Sequence, residues 1–422
     1  MKSAVNKTIL KNGIRIVTKK MPHVRSVSMG VWVNVGARDE SAAESGLSHF
    51  IEHMIFKGTA KRTAFQIAKE FDAIGGHTNA FTSFENTCYH AKVMDTHLET
   101  MADILSDIFL NSVFDEKEIE SEREVILQEI GMAEDSPDEY VHVLSGNNFW
   151  GEHPLGRSIL GFRENILHFN AAAVKDFFLS FYQPDRIIIS VAGNVEHDRF
   201  VDFVGPAFEF IRPGDGPPTR VTPNGISRIK LHHRALEQVH ICLSTVGLSI
   251  TDPRRFTYSL LNTILGGNMS SRLFQEIRER RGLAYAVYSF ISSFADTGMF
   301  GAYAVVNPKN AHETTALLLK EIKRLKDERI DAGELQAAKE FTKGSLLLAS
   351  ENNDNQMVRL AQNESHFMRY IPLQEIIDHI DAVSEDEILE LADSLFSDNR
   401  FALTTLGPAD DQQAFENLLK YG

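Results

Sequence analysis

Two stretches, AAAVKDFFLSFYQPDRIIISVAG (Ala171–Gly193) and EDEILELADSLFSDNRFALTTLG (Glu385–Gly407), have the same build: a helical pattern, an arginine, then a short apolar run closed by glycine. Arg186 and Arg400 are 214 positions apart. Working outward, Ser83–Thr87 (SFENT) returns as Ser293–Thr297 (SFADT) at an offset of 210, and the strand-like run beginning at Val27 returns near Val239 at an offset of 212. Matching order at a nearly constant offset points to one unit used twice. Between the copies lies RPGDGPPTRVTPNG (Arg212–Gly225), whose four prolines and three glycines block helix and strand interiors. The expected division is 1–211, a linker 212–225, and 226–422.

Within the first copy, Gly13–Thr18 and Val27–Val35 (VSMGVWVNV) read as strands. Helices are expected over Gly46–Phe56 and Ala64–Phe71, then strands over His77–Thr82 and Thr87–Met94. A long helix, acidic at its start and apolar at helical spacing, is expected over Asp115–Ala133. Ala171–Phe181 reads as another helix and Arg186–Ala192 as a buried strand. The fold class is α+β: two homologous domains, each a mixed, mainly antiparallel sheet packed by helices.

Bulk composition narrows the function. The chain has 422 residues, 43% hydrophobic and 24% charged, as globular proteins have. A net charge of −15 argues against nucleic-acid and anionic-membrane partners, which need basic patches. No apolar run approaches the ~20 residues that span a bilayer, and the start MKSAVNKTILKNGIRIV lacks the features of a secretory signal. Cys88 and Cys242 make no disulfide framework and read as small core residues. A cytoplasmic protein is the expectation.

The chemistry concentrates in His49-Phe50-Ile51-Glu52-His53. On a helix, His49 and His53 share a face and present two imidazoles to one ion. Glu52 stands beside them, placed to take a proton from a water that the metal activates. This is the H-x-x-E-H pattern, the reverse of H-E-x-x-H. Zinc suits the ligands, and manganese or cobalt would fit the same set. A third ligand must come from elsewhere. EREVILQEI (Glu122–Ile130) offers Glu122, Glu124 and Glu129; Glu122 and Glu129 are two turns apart and share a face near Val125 and Ile126. Spacing alone leaves the choice open.

From LKNGIRIV at Leu10 to the last repeat, the chain resembles the pitrilysin superfamily, which includes insulin-degrading enzyme and the mitochondrial processing peptidases, and it is most similar to the short-chain processing-peptidase branch. Glu129 stands 76 positions after His53, where that family places its distal glutamate ligand. The resemblance therefore implies one zinc per chain on His49, His53 and Glu129, with Glu52 as general base and Glu122 supporting the site without holding metal. GGHTNAF (Gly75–Phe81) matches the family's substrate-binding edge strand, with Asn79 and Ala80 at its contact positions.

The second copy differs. The position matching His49 falls near Leu260, in SLLNTILGGN, which has no histidine or carboxylate pair. It carries instead SSRLFQEIRERRGLAYAV, in which Arg278 and Tyr285 match the family's Arg/Tyr pair, implied to bind substrate and stabilise the tetrahedral intermediate. Arg281 competes, but the family's spacing to the tyrosine is seven, which Arg278 meets. The implied activity is zinc-dependent endopeptidase cleavage of extended or unfolded peptides. The implied assembly is a homodimer enclosing a chamber, because one chain holds two of the four units that the family's long members carry. The rival readings are a non-catalytic scaffold subunit and a peptide-binding module; the complete H-x-x-E-H set speaks against the first.

Overall fold

Alternation along Val27–Val33 puts four wholly buried side chains, Val27, Met29, Val31 and Val33, on one face of a strand. A computed structural model, which describes residues 5–212, 214, 216, 219–396 and 400–421, builds the first sheet around that strand. Its members are β1 (Val5–Ile9), β2 (Arg15–Lys20), β3 (Ser26–Val33), β4 (His77–Thr82), β5 (Thr87–Met94) and β6 (Ile187–Gly193). The order is β1-β2-β6-β3-β5-β4. β2 and β6 run parallel, and the other pairs are antiparallel. Strand and helix ends fall within a few residues of the sequence expectation, the usual uncertainty of element boundaries.

The second sheet holds β7 (Ile229–His232), β8 (Val239–Gly247), β9 (Ala284–Ser293), β10 (Gly298–Val306) and β11 (Ala402–Leu406), in the order β7-β11-β8-β10-β9. Its parallel pair is β7 with β11. Strand for strand this repeats β2-β6-β3-β5-β4, parallel pair included. The glycine that closes each repeat does the same work twice. Gly193 and Gly407 have φ of 138° and 133°. A Cβ on Gly193 would lie 2.3 Å from the Ser26 carbonyl, and one on Gly407 2.5 Å from that of Gln238. Neither position tolerates a side chain, so the shared glycine is a backbone requirement.

In the first unit, the helices Leu47–Met54, Leu98–Asn111, Ala171–Phe181 and His197–Phe208 bury Phe50, Met101, Leu105, Val174 and Val204 in one core with the inner face of the sheet. The opposite face of β2, β3 and β6 is covered by the helix Asn353–Phe367, whose Met357, Leu360 and Ala361 pack with Val17, Trp32 and Ile188. In the second unit, the helix Pro137–Trp150 takes the matching place: its Val141 packs with Cys242, Tyr303 and Leu406. The compact units are accordingly 1–131, 157–220 and 348–370, and 132–156, 221–347 and 371–422. They cut across the linear division expected from the proline-rich segment, since each half of the sequence contributes one helix to the other half's sheet. Within that segment, residues 213, 215, 217 and 218 lie outside the described residues, as do 397–399 of the second repeat pattern.

Met357 is 1% exposed and belongs to the first unit although it lies far along the second half of the sequence. Met357→Ala should leave a cavity and cost about 2–5 kcal/mol. Amide hydrogen exchange should quicken in β2, β3 and β6 and stay unchanged in β8 and β10. Faster exchange confined to the second sheet would refute this packing.

Candidate metal centre

The helix Leu47–Met54 begins at Gly46, whose φ of 105° and whose approach to Gly161 Cα, 3.0 Å from a hypothetical Cβ, require glycine. Gly46 has no side chain to cap the helix, and Glu40 supplies the cap. Its two oxygens accept from Gly46 N–H at 2.8 Å and Ser48 N–H at 2.7 Å. Burial pushes the Glu40 pKa up to about 7, against the lowering effect of those bonds. Leu47, Phe50, Ile51 and Met54 face the core. The opposite face carries His49 and His53, with ring centroids 4.7 Å apart.

The helix Glu116–Glu134 supplies the carboxylates. Ile119, Ile126 and Ile130 are its buried apolar positions, and Glu122 is buried among them; Val125, expected on that face, is exposed. Glu129 Oε2 lies 3.6 Å from His49 Nε2 and 3.4 Å from His53 Nε2. Zinc bonds of ~2.0–2.2 Å at tetrahedral angles separate neighbouring ligand atoms by ~3.3–3.5 Å, close to both carboxylate–imidazole distances here, and the three ligand atoms all lie within 4.8 Å of one another. Among the described residues, these three form the group of histidine, cysteine or carboxylate side chains close enough to share an ion. Glu124 is exposed on the same helix. Glu122 instead bonds the other ring nitrogen, His53 Nδ1, at 2.9 Å, and its second oxygen contacts Lys57 Nζ. That is the outer-sphere arrangement which fixes the tautomer and orientation of a ligating imidazole.

Charge states differ sharply within the cluster. Burial, and then the neighbouring His53, lower the His49 pKa to about 3, so this imidazole is neutral and has a lone pair to offer. Burial would also lower His53, but the Glu122 bond and the charges of Glu129, Glu122 and Glu52 outweigh it and hold its pKa above the ordinary value. Burial raises Glu52, more than its bonds from the Thr82 side chain and backbone lower it. Glu52 Oε2 is buried with no hydrogen-bond partner among the described residues, leaving one oxygen for a water or substrate proton. At Glu122 the bonds from His53 and Lys57 outweigh burial and hold the carboxyl below its usual range.

β4, which carries Asn79 and Ala80, is the outer strand of its sheet. The Ala80 N–H is taken by Asn79 Oδ1 at 2.9 Å. Thr82, two residues on and thus oriented alike, gives its N–H to Glu52. The exposed edge of β4 therefore runs directly to the general-base candidate. In the second unit, Arg278 lies on a π-helical turn (Phe274–Glu279), and its guanidinium stacks over the rings of Phe274 at 4.7 Å and Tyr285 at 5.0 Å. Tyr285 is 78% exposed near the start of β9, the outer strand that corresponds to β4. Arg281 is tied to Glu276 at 3.0 Å and Glu313 at 3.3 Å. Leu260, where the first copy has its histidine, is wholly buried. Sequence reasoning missed Glu40, Thr82 and Lys57; of these, Lys57 has a visible signal, standing four positions after His53.

Residues 15–163 match the family profile described as Insulinase (Peptidase family M16), and residues 168–341 match that of the Peptidase M16 inactive domain. A Bacillus subtilis protein described as the uncharacterized zinc protease YmxG is 41% identical over 94% of this chain and 97% of its own length. Uncharacterized zinc proteases of Rickettsia felis, 39% identical, and Streptomyces coelicolor, 38% identical, each match 97% of this chain and cover 99% and 91% of their own lengths. A crystal structure of a protease from Helicobacter pylori shares the fold at TM-score 0.89 and 22% identity, covering 96% of this chain and 99% of the other. A peptidase M16 inactive domain from Pseudomonas fluorescens does so at TM-score 0.89 and 17% identity, covering 96% and 98%.

Competition with a chromophoric chelator separates the roles of the two glutamates. Glu129→Gln should all but abolish tight zinc binding, whereas Glu122→Gln should weaken it by ~10–100-fold. The reverse ranking would exchange the two assignments.

Proposed function

The chain belongs to the insulinase family of M16 peptidases, and from that premise we propose that it is a zinc-dependent endopeptidase that hydrolyses extended or unfolded peptides. One observation carries the reading: two imidazoles and one carboxylate converge at ligand distances near a half-buried glutamate, Glu52, whose Oε2 has no hydrogen-bond partner among the described residues. The relatives described as zinc proteases support the metal and the reaction class. When bound on His49, His53 and Glu129, zinc supplies Lewis-acid polarisation of the peptide carbonyl and acidifies a water.

The chain's own residues do the rest. Glu52 accepts the water's proton and passes it to the leaving amine; its raised proton affinity suits a group that must hold the proton briefly near neutral pH. Glu122 holds His53 with Nε2 towards the metal position. An extended peptide adds to the outer edge of β4 through backbone bonds, taking over the Ala80 N–H that Asn79 Oδ1 now accepts, and this lays the scissile bond beside Glu52. Arg278 and Tyr285 offer a cation and a phenol donor to the oxygen that gains charge.

Among the described residues the chain has one ligand set, and by its resemblance to the family's long members, which carry four such units against two here, the working enzyme is a homodimer with shared sites. Arg278 and Tyr285 of one subunit act at the metal site of the other, and the chamber between the subunits admits flexible peptides while excluding folded proteins. The buried free cysteines Cys88 and Cys242 fit a cytoplasmic location.

Glu52→Gln should keep stoichiometric zinc and lose at least ~100-fold in turnover of an unstructured peptide, followed as fragments by mass spectrometry. Undiminished cleavage would refute the role of Glu52. Shared sites make a separate forecast. Mixing Glu52→Gln chains with Tyr285→Phe chains should restore activity, because a heterodimer has one site with both defects and one with neither. If heterodimers form and activity stays absent, the pair does not act across subunits.

A further inference from the structure

His53 faces two carboxylates from one helix, Glu122 on Nδ1 at 2.9 Å and Glu129 on Nε2 at 3.4 Å. The two glutamates are seven residues apart on the helix Glu116–Glu134, so the same face offers either to the metal. What distinguishes them is a cation. Lys57, one helical turn beyond His53, contacts Glu122 Oε1, whereas Glu129 has no lysine or arginine ion pair among the described residues. The Glu122 side chain is 6% exposed and has both oxygens engaged, one by Lys57 and one by His53. A buried carboxylate with one partner removed is poorly compensated and reorients to find another. The nearest strong partner would be a metal ion on the other side of the imidazole.

We propose that Lys57 is a positioning residue of the metal centre: its ammonium pins Glu122 to His53 Nδ1, keeps that carboxylate out of the ligand set, and so leaves the third ligand position to Glu129. This rests on the metal-centre reading above, but adds a residue that neither holds metal nor touches substrate. Lys57 is held in place by the turn that follows Met54 and by burial of much of its stem, its side chain being 29% exposed. Charge and placement, rather than proton transfer, are its contribution.

The test compares zinc affinity in wild type, Lys57→Met, Lys57→Arg, Glu122→Gln and the double variant Lys57→Met/Glu122→Gln, by chelator competition, together with the visible absorption of the cobalt-loaded proteins. Lys57→Met should lose ~10-fold or more in zinc affinity and shift the cobalt bands, because its ligand set changes. Lys57→Arg, which keeps the cation, should recover most of both. In the Glu122→Gln background, Lys57→Met should add nothing, since no charge remains to be held; this pair also serves if the single methionine variant folds poorly, a neutral Glu122 needing no compensation. Equal affinity and equal spectra in wild type and Lys57→Met, or additive losses in the double variant, would overturn the proposal for Lys57. A wild-type protein that binds no zinc would overturn the metal centre itself, a distinguishable result.

Discussion

The meeting of Glu129 with two imidazoles one helical turn apart is the constraint to which the first unit is built. Helix Leu47–Met54 and helix Glu116–Glu134 must lie close enough to bring Glu129 Oε2 within 3.6 Å of both Nε2 atoms. Neither helix is free to drift. Phe50, Ile51 and Met54 anchor the first in the sheet's core, and Ile119, Ile126 and Ile130 anchor the second. Glu40 ties down the first turn of the short helix Leu47–Met54, where Gly46 contributes no side chain. Apolar packing thus sets positions to within a fraction of an ångström on the face where polar groups must converge.

The same closeness creates an electrostatic problem, which the site resolves by dividing labour. Where burial dominates, it shifts His49 down and Glu52 up, each towards its neutral form. Where hydrogen bonding and charge dominate, at His53 and Glu122, the ionic forms gain. Two like pairs of residues are driven apart by environment, and such divergence marks functional sites.

Among the described residues, the second copy of the unit carries no such cluster. The second sheet repeats the order, the parallel pair and the strand-closing glycine of the first, so its backbone requirements are intact. Its helix over Arg255–Gly266 buries the apolar Leu260 where the first copy has the imidazole of His49, so this position is committed to packing. At its outer strand the second unit carries the exposed Tyr285, with the Arg278 guanidinium stacked over its ring.

Much of this was legible in the residues. Period-two alternation marked β3, period-3.6 spacing put His49 and His53 on one face, and near-constant offsets revealed the repeat, because each is a local property of the chain. The third ligand was not legible from spacing: Glu122 and Glu129 lie two turns apart on one helix face, and they diverge only when His53 offers each a different nitrogen. Resemblance pointed to Glu129, and tertiary placement brings its Oε2 near the Nε2 atoms of both histidines while Glu122 meets His53 Nδ1. Nor could periodicity tell which sheet the helices Pro137–Trp150 and Asn353–Phe367 would cover, since an apolar stripe records that a face is buried and not against what. The sequence by itself determined the elements, the duplication and the helix that carries His49 and His53 on one face. The tertiary structure decided which carboxylate meets which nitrogen and which helix covers which sheet, because those depend on contacts between residues tens to hundreds of positions apart.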